Sequence, residues 1–144
     1  PLIGEKIITK DGIWCLTALS VGNPHCILFD RNQTLPDIAT VGNALNTCGL
    51  FAEGVNVSTV EIIEANRLNI RVWERGSGIT LACGTGACAT AVAACLTGRS
   101  GRKSRVEMDG GTLEIEWNEQ NGHIMMTGPA VTVFEGDILL PTAN

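Results

Sequence analysis

Residues 81–99, LACGTGACATAVAACLTGR, constrain the fold of this chain more than any other segment. Alanines and other small residues favour a helix from about residue 85 to residue 96, and Gly98 is suited to end it. Because its side chains are small on every face, we expect this helix to lie at the centre of the domain, covered by the other elements.

Strand-like runs lie on both sides of this predicted helix. Two apolar runs within residues 13–29 are separated by the turn residues Gly22, Asn23 and Pro24. The β-branched runs Asn56–Glu64 and Arg67–Glu74 meet at the turn-like Ala65-Asn66 and predict a hairpin. After residue 103, we expect antiparallel strands separated by three turn signals: Gly110-Gly111, Asn121-Gly122 and Gly128-Pro129.

A second, shorter helix is predicted within residues 34–46. Pro36 suits its first position, and Asn46 or Gly49 would end it. Its apolar residues recur at helical spacing: Ile38, Val41, Ala44 and Leu45. We therefore predict a single domain, residues 1–144, of the α+β class, with a mostly antiparallel or mixed β-sheet wrapped around the central alanine-rich helix.

Charge and hydropathy argue against several partners. The formal net charge is −5, so neither nucleic acid nor an anionic membrane is an expected partner. A small basic group is expected to be a solvated loop: Arg99, Arg102, Lys103 and Arg105. No apolar run approaches the roughly 20 residues that span a bilayer, and PLIGEKIITK lacks the features of a signal peptide. We expect a cytoplasmic protein.

The six cysteines form no recognisable disulfide or metal pattern. There is no C-x-x-C pair, and His25 and His123 are distant from any close pair of cysteines, so we predict reduced thiols and no metal. Five cysteines are expected to have no chemical role, two as core residues of the central helix and three in apolar or turn settings: Cys88 and Cys95, then Cys15, Cys26 and Cys48.

Cys83 differs because it precedes Gly84, Thr85 and Gly86 at the start of the predicted central helix. The unpaired N–H groups of a first helical turn and the helix dipole make an anion site that suits a carboxylate. The same field favours a thiolate, which is able to act as a base or nucleophile. The alternative is a small buried cysteine at a tight turn, and the hexapeptide ACGTGA alone does not decide between them.

Four segments extend this pattern over nearly the whole chain: VGNPHC at 21–26, EGVNV at 53–57, RVWERGSGITLACGTGACA at 71–89 and TGPAVTVFEGDI at 127–138. In their order and spacing they resemble the diaminopimelate epimerase family. The resemblance implies conversion of LL-diaminopimelate to meso-diaminopimelate, a precursor of lysine and peptidoglycan, without a cofactor. In that family two cysteines act on opposite faces of the α-carbon, one as base and one as acid.

The resemblance also assigns roles to residues near Cys83, which becomes one of the two catalytic thiols. Glu74, beside Cys83, and His25, beside the partner cysteine, would set the protonation of the thiols, and Glu74 would also contact substrate. The backbone N–H groups of Gly84 and Thr85 would hold the substrate α-carboxylate. Without the resemblance, Glu74 is an exposed strand-end residue and His25 fills a turn.

Three further residues are expected to bind the distal end of the substrate: Asn23, Asn56 and Arg75. Amide groups and a guanidinium suit the ammonium and carboxylate found there. Without the resemblance, Asn23 is a turn residue and Arg75 a surface charge.

The chain departs from the family in length. The family enzyme has two similar halves, and the amino-terminal half carries the second cysteine in a Cys-Gly loop that has no counterpart before Cys83. We therefore predict a carboxyl-terminal half, without its amino-terminal half, that is inactive or nearly so alone and needs that complementary half. Residues 131–140 are expected to expose apolar surface, which makes a homodimer a reasonable hypothesis.

Three alternatives stay open. A proline or hydroxyproline racemase would share the cysteine loop but would not need Arg75 with Asn23 and Asn56. A thiol hydrolase would pair Cys83 with His25, although no signature supplies a leaving-group site. A non-catalytic domain would use the helix start only to bind an anion.

Overall fold

A computed structural model describes residues 1–30 and 34–140 of the chain. The described part contains nine strands and two helices, in this order: β1 (Leu2–Thr9), β2 (Gly12–Ser20), β3 (Pro24–Phe29), α1 (Ile38–Thr47), β4 (Asn56–Glu64), β5 (Arg67–Glu74), β6 (Gly78–Thr80), α2 (Gly84–Leu96), β7 (Lys103–Met108), β8 (Gly111–Trp117) and β9 (Ile124–Thr127).

The strands form one mixed sheet. Its order is β1-β2-β3-β4-β5-β7-β8-β9, and the short strand β6 pairs with β5 beside this path. The pairs β3–β4 and β5–β7 are parallel, and the remaining pairs are antiparallel. The predicted α+β class and mixed sheet are therefore confirmed.

Helix α2 lies at the centre of this sheet, as its small residues predict. It packs against seven of the strands, from β2 to β9. Ala87, Ala89 and Ala93 are fully buried, because only a methyl-sized side chain fits where strands approach a helix from several sides. Their partners are large apolar residues of the sheet: Ile27, Leu68, Ile70, Val72, Val106 and Ile115.

Helix α1 covers part of the opposite face of the sheet. Successive strand residues point to opposite faces, so Ile27 faces α2 while its neighbours Cys26 and Leu28 join the core beneath α1. The middle of α1 is glycine for a packing reason, since a Cβ on Gly42 would overlap the ring of Trp73.

The start of α1 differs from the prediction. Asp37 is the N-cap and accepts a hydrogen bond from the Thr40 N–H at 2.9 Å, so Pro36 precedes the helix instead of opening it. An acidic side chain satisfies first-turn N–H groups, which proline cannot do. At the other end the prediction is confirmed, because Gly49 follows the C-cap in a left-handed conformation with φ of 80°.

The hairpin is confirmed with the predicted bounds, but the run after Gly128-Pro129 is not a strand. Residues 128–140 have no regular structure, and Val133 and Phe134 are 88% and 85% exposed. A strand needs a neighbouring strand for its backbone hydrogen bonds, and the described part of the chain offers this segment none. The predicted apolar surface of residues 131–140 is present.

The predicted basic loop is also wrong in part. Lys103 and Arg105 belong to β7, where they form ion pairs with Glu116 and Glu107. Outside the strand, the guanidinium groups of Arg99 and Arg102 lie over aromatic rings, those of Phe29 and Trp117 respectively. The pairing of β7 with β8 stabilises a strand here, although the clustered charges are typical of a loop.

All six cysteines are free thiols. Cys88 packs against the core around α2 but is only partly buried, as is Cys95, so the prediction that both are core residues holds only in part. Within residues 1–30 and 34–140, no group of three or more His, Cys, Asp or Glu side chains is arranged to hold a metal ion. No helix in the same residues is long and apolar enough to cross a membrane.

Candidate functional site

Three strand ends and one helix start meet at the same edge of the sheet. Strand β3 begins next to His25, the parallel strand β4 begins at Asn56, and the antiparallel strand β5 ends at Glu74. His25 and Asn56 are register partners. The first turn of α2 reaches this edge through Thr85, whose hydroxyl accepts a hydrogen bond from the Asn23 side chain at 3.3 Å.

Cys83 is the N-cap of α2. Its extended backbone places Sγ where it accepts a hydrogen bond from the Gly86 N–H at 3.3 Å, and Sγ lies 3.5 Å from the Thr85 hydroxyl. The Cys83 N–H in turn donates to Met108 Sδ at 3.5 Å. A sulfur that faces first-turn N–H groups is in a field that stabilises negative charge. The predicted position at the helix start is confirmed.

The glycines around Cys83 are explained by close packing. A Cβ on Gly86 would lie 3.3 Å from Cys83 Sγ and 3.5 Å from a methyl group of Val72. A Cβ on Gly84 would lie 3.2 Å from Met126 Sδ. A larger residue at either position would therefore press on the thiol or on the neighbouring thioether.

A chain of polar contacts joins His25 to Cys83. His25 Nε2 lies 3.0 Å from Asn23 Oδ1, and because this oxygen only accepts, Nε2 is the donor. Asn23 Nδ2 donates to the Thr85 hydroxyl, which touches Cys83 Sγ. The sequence places His25 and Cys83 58 positions apart, so this connection depends on the fold.

His25 is held in its neutral form by burial. Its side chain is 1% exposed, and loss of solvation lowers its pKa from 6.5 to about 4, although the negative charge of Glu74 acts in the opposite direction. Its Nδ1 is buried without a hydrogen-bond partner among the described residues. Near pH 7 the imidazole is therefore neutral, with Nε2 as the donor.

Glu74 is fixed by a residue that the sequence did not indicate. The Thr80 hydroxyl donates a hydrogen bond of 2.6 Å to Glu74 Oε1. Glu74 is half-buried rather than fully exposed at its strand end, and its charge is close enough to act on His25.

Asn56 and Arg75 are engaged with the protein itself. Asn56 is 3% exposed, donates to the Pro24 carbonyl at 3.2 Å and accepts from the Arg75 N–H at 3.1 Å. The Arg75 guanidinium donates to the Glu53 carbonyl at 3.1 Å. Asn56 therefore lies at the edge of the site and connects the start of β3 to the residue after β5 through its side chain. The Arg75 side chain extends toward Glu53, in the loop before β4.

Met108 and Met126 also border the site, and sequence reasoning missed both. They lie on β7 and β9 and reach the Cys83 loop only through the sheet order. No sequence motif around either methionine predicts such a long-range contact. Thr80 was missed as well, because its contact with Glu74 depends on the pairing of β6 with β5.

Comparison with known proteins gives a consistent result. A family model described as diaminopimelate epimerase matches residues 17–133. Diaminopimelate epimerase of Phocaeicola vulgatus is 57% identical over 122 residues, which cover 85% of this chain and 44% of the relative. That of Moorella thermoacetica is 46% identical over 140 residues, 97% of this chain and 50% of the relative. The chain spans about half the length of these relatives.

A solved structure supports the fold alone. The Bacillus anthracis phenazine biosynthesis protein of the PhzF family superposes with a TM-score of 0.54 and 19% identity, over 77% of this chain and 37% of that one. The same architecture of a sheet around a central helix is therefore found in a protein of very different sequence.

Proposed function

Because the chain belongs to the diaminopimelate epimerase family, we propose that it is the carboxyl-terminal half of such an enzyme and converts LL-diaminopimelate to meso-diaminopimelate together with a complementary amino-terminal half. The observation that carries this proposal is the position of Cys83. Its sulfur caps the central helix and is linked through Thr85 and Asn23 to the buried His25.

Two thiols are needed for the reaction. A thiolate on one face takes the α-proton, and a thiol on the other face gives a proton to the carbanion, so configuration inverts and the enzyme ends with the two protonation states exchanged. Cys83 is one of these groups, and the second belongs to the complementary half. Alone, this chain is expected to be inactive or nearly so.

The first turn of α2 supports a role in binding the α-carboxylate. The Gly86 and Ala87 N–H groups bond to the Sγ and carbonyl of Cys83. In the described part of the chain, the N–H groups of Gly84 and Thr85 are then the first-turn donors left for a ligand. They would stabilise the charge that develops on the carboxylate as the α-proton leaves.

The remaining residues have proposed roles around these groups. Glu74 and the neutral His25 set thiol protonation, and Glu74 also contacts substrate. The distal ammonium and carboxylate of the substrate are bound by Asn23, Asn56 and Arg75. For this, the Asn23 amide would release its hydrogen bond to the Thr85 hydroxyl and bind the substrate.

The setting of the reaction is also a proposal. Six free thiols suit a reducing compartment, so we place the protein in the cytoplasm, in the synthesis of lysine and peptidoglycan precursors. The exposed apolar tail, residues 131–140, suits contact with the complementary half or with a second copy.

The decisive experiment is NMR detection of deuterium entering the α-position of diaminopimelate in heavy water. The chain is assayed alone and mixed with the amino-terminal half of the Phocaeicola vulgatus relative. Exchange is expected only in the mixture, lost in Cys83→Ala and retained in Cys88→Ala, which removes a thiol from the same helix. Proline and hydroxyproline replace diaminopimelate in parallel samples, and exchange with those alone would favour the racemase alternative.

A binding-only domain is the second candidate, because free N–H groups at a helix start attract anions without catalysis. If both pieces are folded and no exchange occurs, while diaminopimelate still shifts the amide resonances of Gly84 and Thr85, this candidate replaces the epimerase.

A further inference from the structure

The short strand β6 places one hydroxyl beside Glu74. Strand β6 pairs with the end of β5, so that Thr80 is opposite Val72, and Gly78 is opposite Glu74. Because side chains alternate along strands, Val72, Glu74 and Thr80 all face the α2 side of the sheet. Val72 is buried there against Gly86, next to the thiol.

The Glu74 side chain reaches diagonally across the β5–β6 pair to the Thr80 hydroxyl. The resulting O–H···O hydrogen bond is 2.6 Å long, which is in the range of charge-assisted bonds to an ionised carboxylate. A carboxylate only accepts, so the hydroxyl is the donor. This contact fixes Oε1, and Oε2 has no hydrogen-bond partner among the described residues.

The contact has an effect beyond the loop itself. A glutamate at the end of a strand has three rotatable bonds and would otherwise spread over many rotamers. In the structure the carboxylate lies close enough for its negative charge to raise the pKa of the buried His25, against the larger lowering effect of burial. The preceding residue of β6, Ile79, points to the opposite face of the sheet, is 52% exposed and adds little packing. Strand β6 therefore contributes mainly the Thr80 hydrogen bond to the site.

We infer that Thr80 is a positioning residue that holds the Glu74 carboxylate toward the Cys83 and His25 end of the site; as a role in catalysis, this rests on the proposed function. Thr80 touches neither thiol nor substrate in this assignment. It acts by restricting Glu74 to the rotamer in which the carboxylate works.

The test compares Thr80→Val, which keeps the shape but removes the donor, with Thr80→Ser, which restores it. Ser77→Ala, in the same loop, is the control, because the Ser77 contact to Glu74 is made by its backbone N–H. Two readouts are used. Three-bond NMR couplings around χ1 of Glu74 are measured in the chain alone, and kcat and KM are measured in the mixture with the amino-terminal half.

Thr80→Val is expected to average the Glu74 couplings and to lower kcat about 10-fold, with KM changed less than about twofold. Thr80→Ser and Ser77→Ala should keep a single rotamer and stay within about threefold of the parent kcat. A thermal unfolding scan of each variant separates this effect from loss of the fold.

Unchanged Glu74 couplings in a folded Thr80→Val chain would overturn the inference, as would a kcat loss that Thr80→Ser fails to restore. If the unsubstituted mixture shows no exchange, the proposed function fails. The couplings still decide whether Thr80 positions Glu74, so the two failures are distinguishable.

Discussion

Protonation of His25 is expected to make the fold less stable in mild acid. The buried imidazole has a pKa of about 4 in the folded chain and an ordinary value of 6.5 in the unfolded one. As pH falls below 6.5, the unfolded chain binds a proton that the folded chain refuses, so the stability present above that value is lost progressively down to about pH 4.

The size of this effect follows from the two pKa values. A single site with this difference reduces the free energy of unfolding by about 2 kcal/mol between about pH 7.5 and about pH 5. The whole difference, reached below the folded pKa, corresponds to about 3 kcal/mol. Burial is the main cause, and the charge of Glu74 only reduces the shift.

The assay is urea unfolding followed by tryptophan fluorescence at several pH values. His25→Gln keeps a donor for Asn23 but does not titrate, so its stability should vary with pH by about 2 kcal/mol less than that of the parent. The control is His123→Gln, because His123 is exposed and lies just before β9. A pH dependence that survives in His25→Gln, or disappears in His123→Gln, would refute the reasoning.

Two other predictions concern packing and assembly. Gly42→Ala should lower the free energy of unfolding by about 1–2 kcal/mol in urea titrations, since overlap with Trp73 outweighs the helix preference of alanine, whereas the exposed Asn43→Ala should be neutral or stabilising. An equally stable Gly42→Ala chain would contradict this packing. In sedimentation velocity, the chain should self-associate with rising concentration and Phe134→Asp should reduce this, because Phe134 is part of the exposed tail. A clean monomer at all concentrations would exclude the homodimer.

Features that depend on neighbouring residues could be predicted from the sequence. The hairpin of β4 and β5 has its predicted bounds because β-branched runs and the turn at Asn66, with φ of 64°, are local determinants. Helix α2 followed from its alanines, and the position of Cys83 at its start followed from the glycines after it.

Features that depend on distant partners could not be predicted. The run after Gly128-Pro129 predicts a strand, yet a strand forms only beside another strand, and the run itself contains no information about whether one is present. Met108 and Thr80 approach the site through the pairing of β7 and β6 with β5. The roles of Glu74, His25, Asn23, Asn56 and Arg75 rest on the resemblance and stay predictions.

Under the proposed function, the capping sulfur links the chemistry of this chain to its folding. Serine, threonine, aspartate and asparagine are the usual helix caps, and cysteine is not among the preferred ones. Helix α2 therefore starts at a residue that suits proton transfer better than helix stability. Cys83→Ser should give a chain that keeps or strengthens its central helix while lacking the thiol. Such a chain would be a suitable inert partner for holding substrate in place during structure determination.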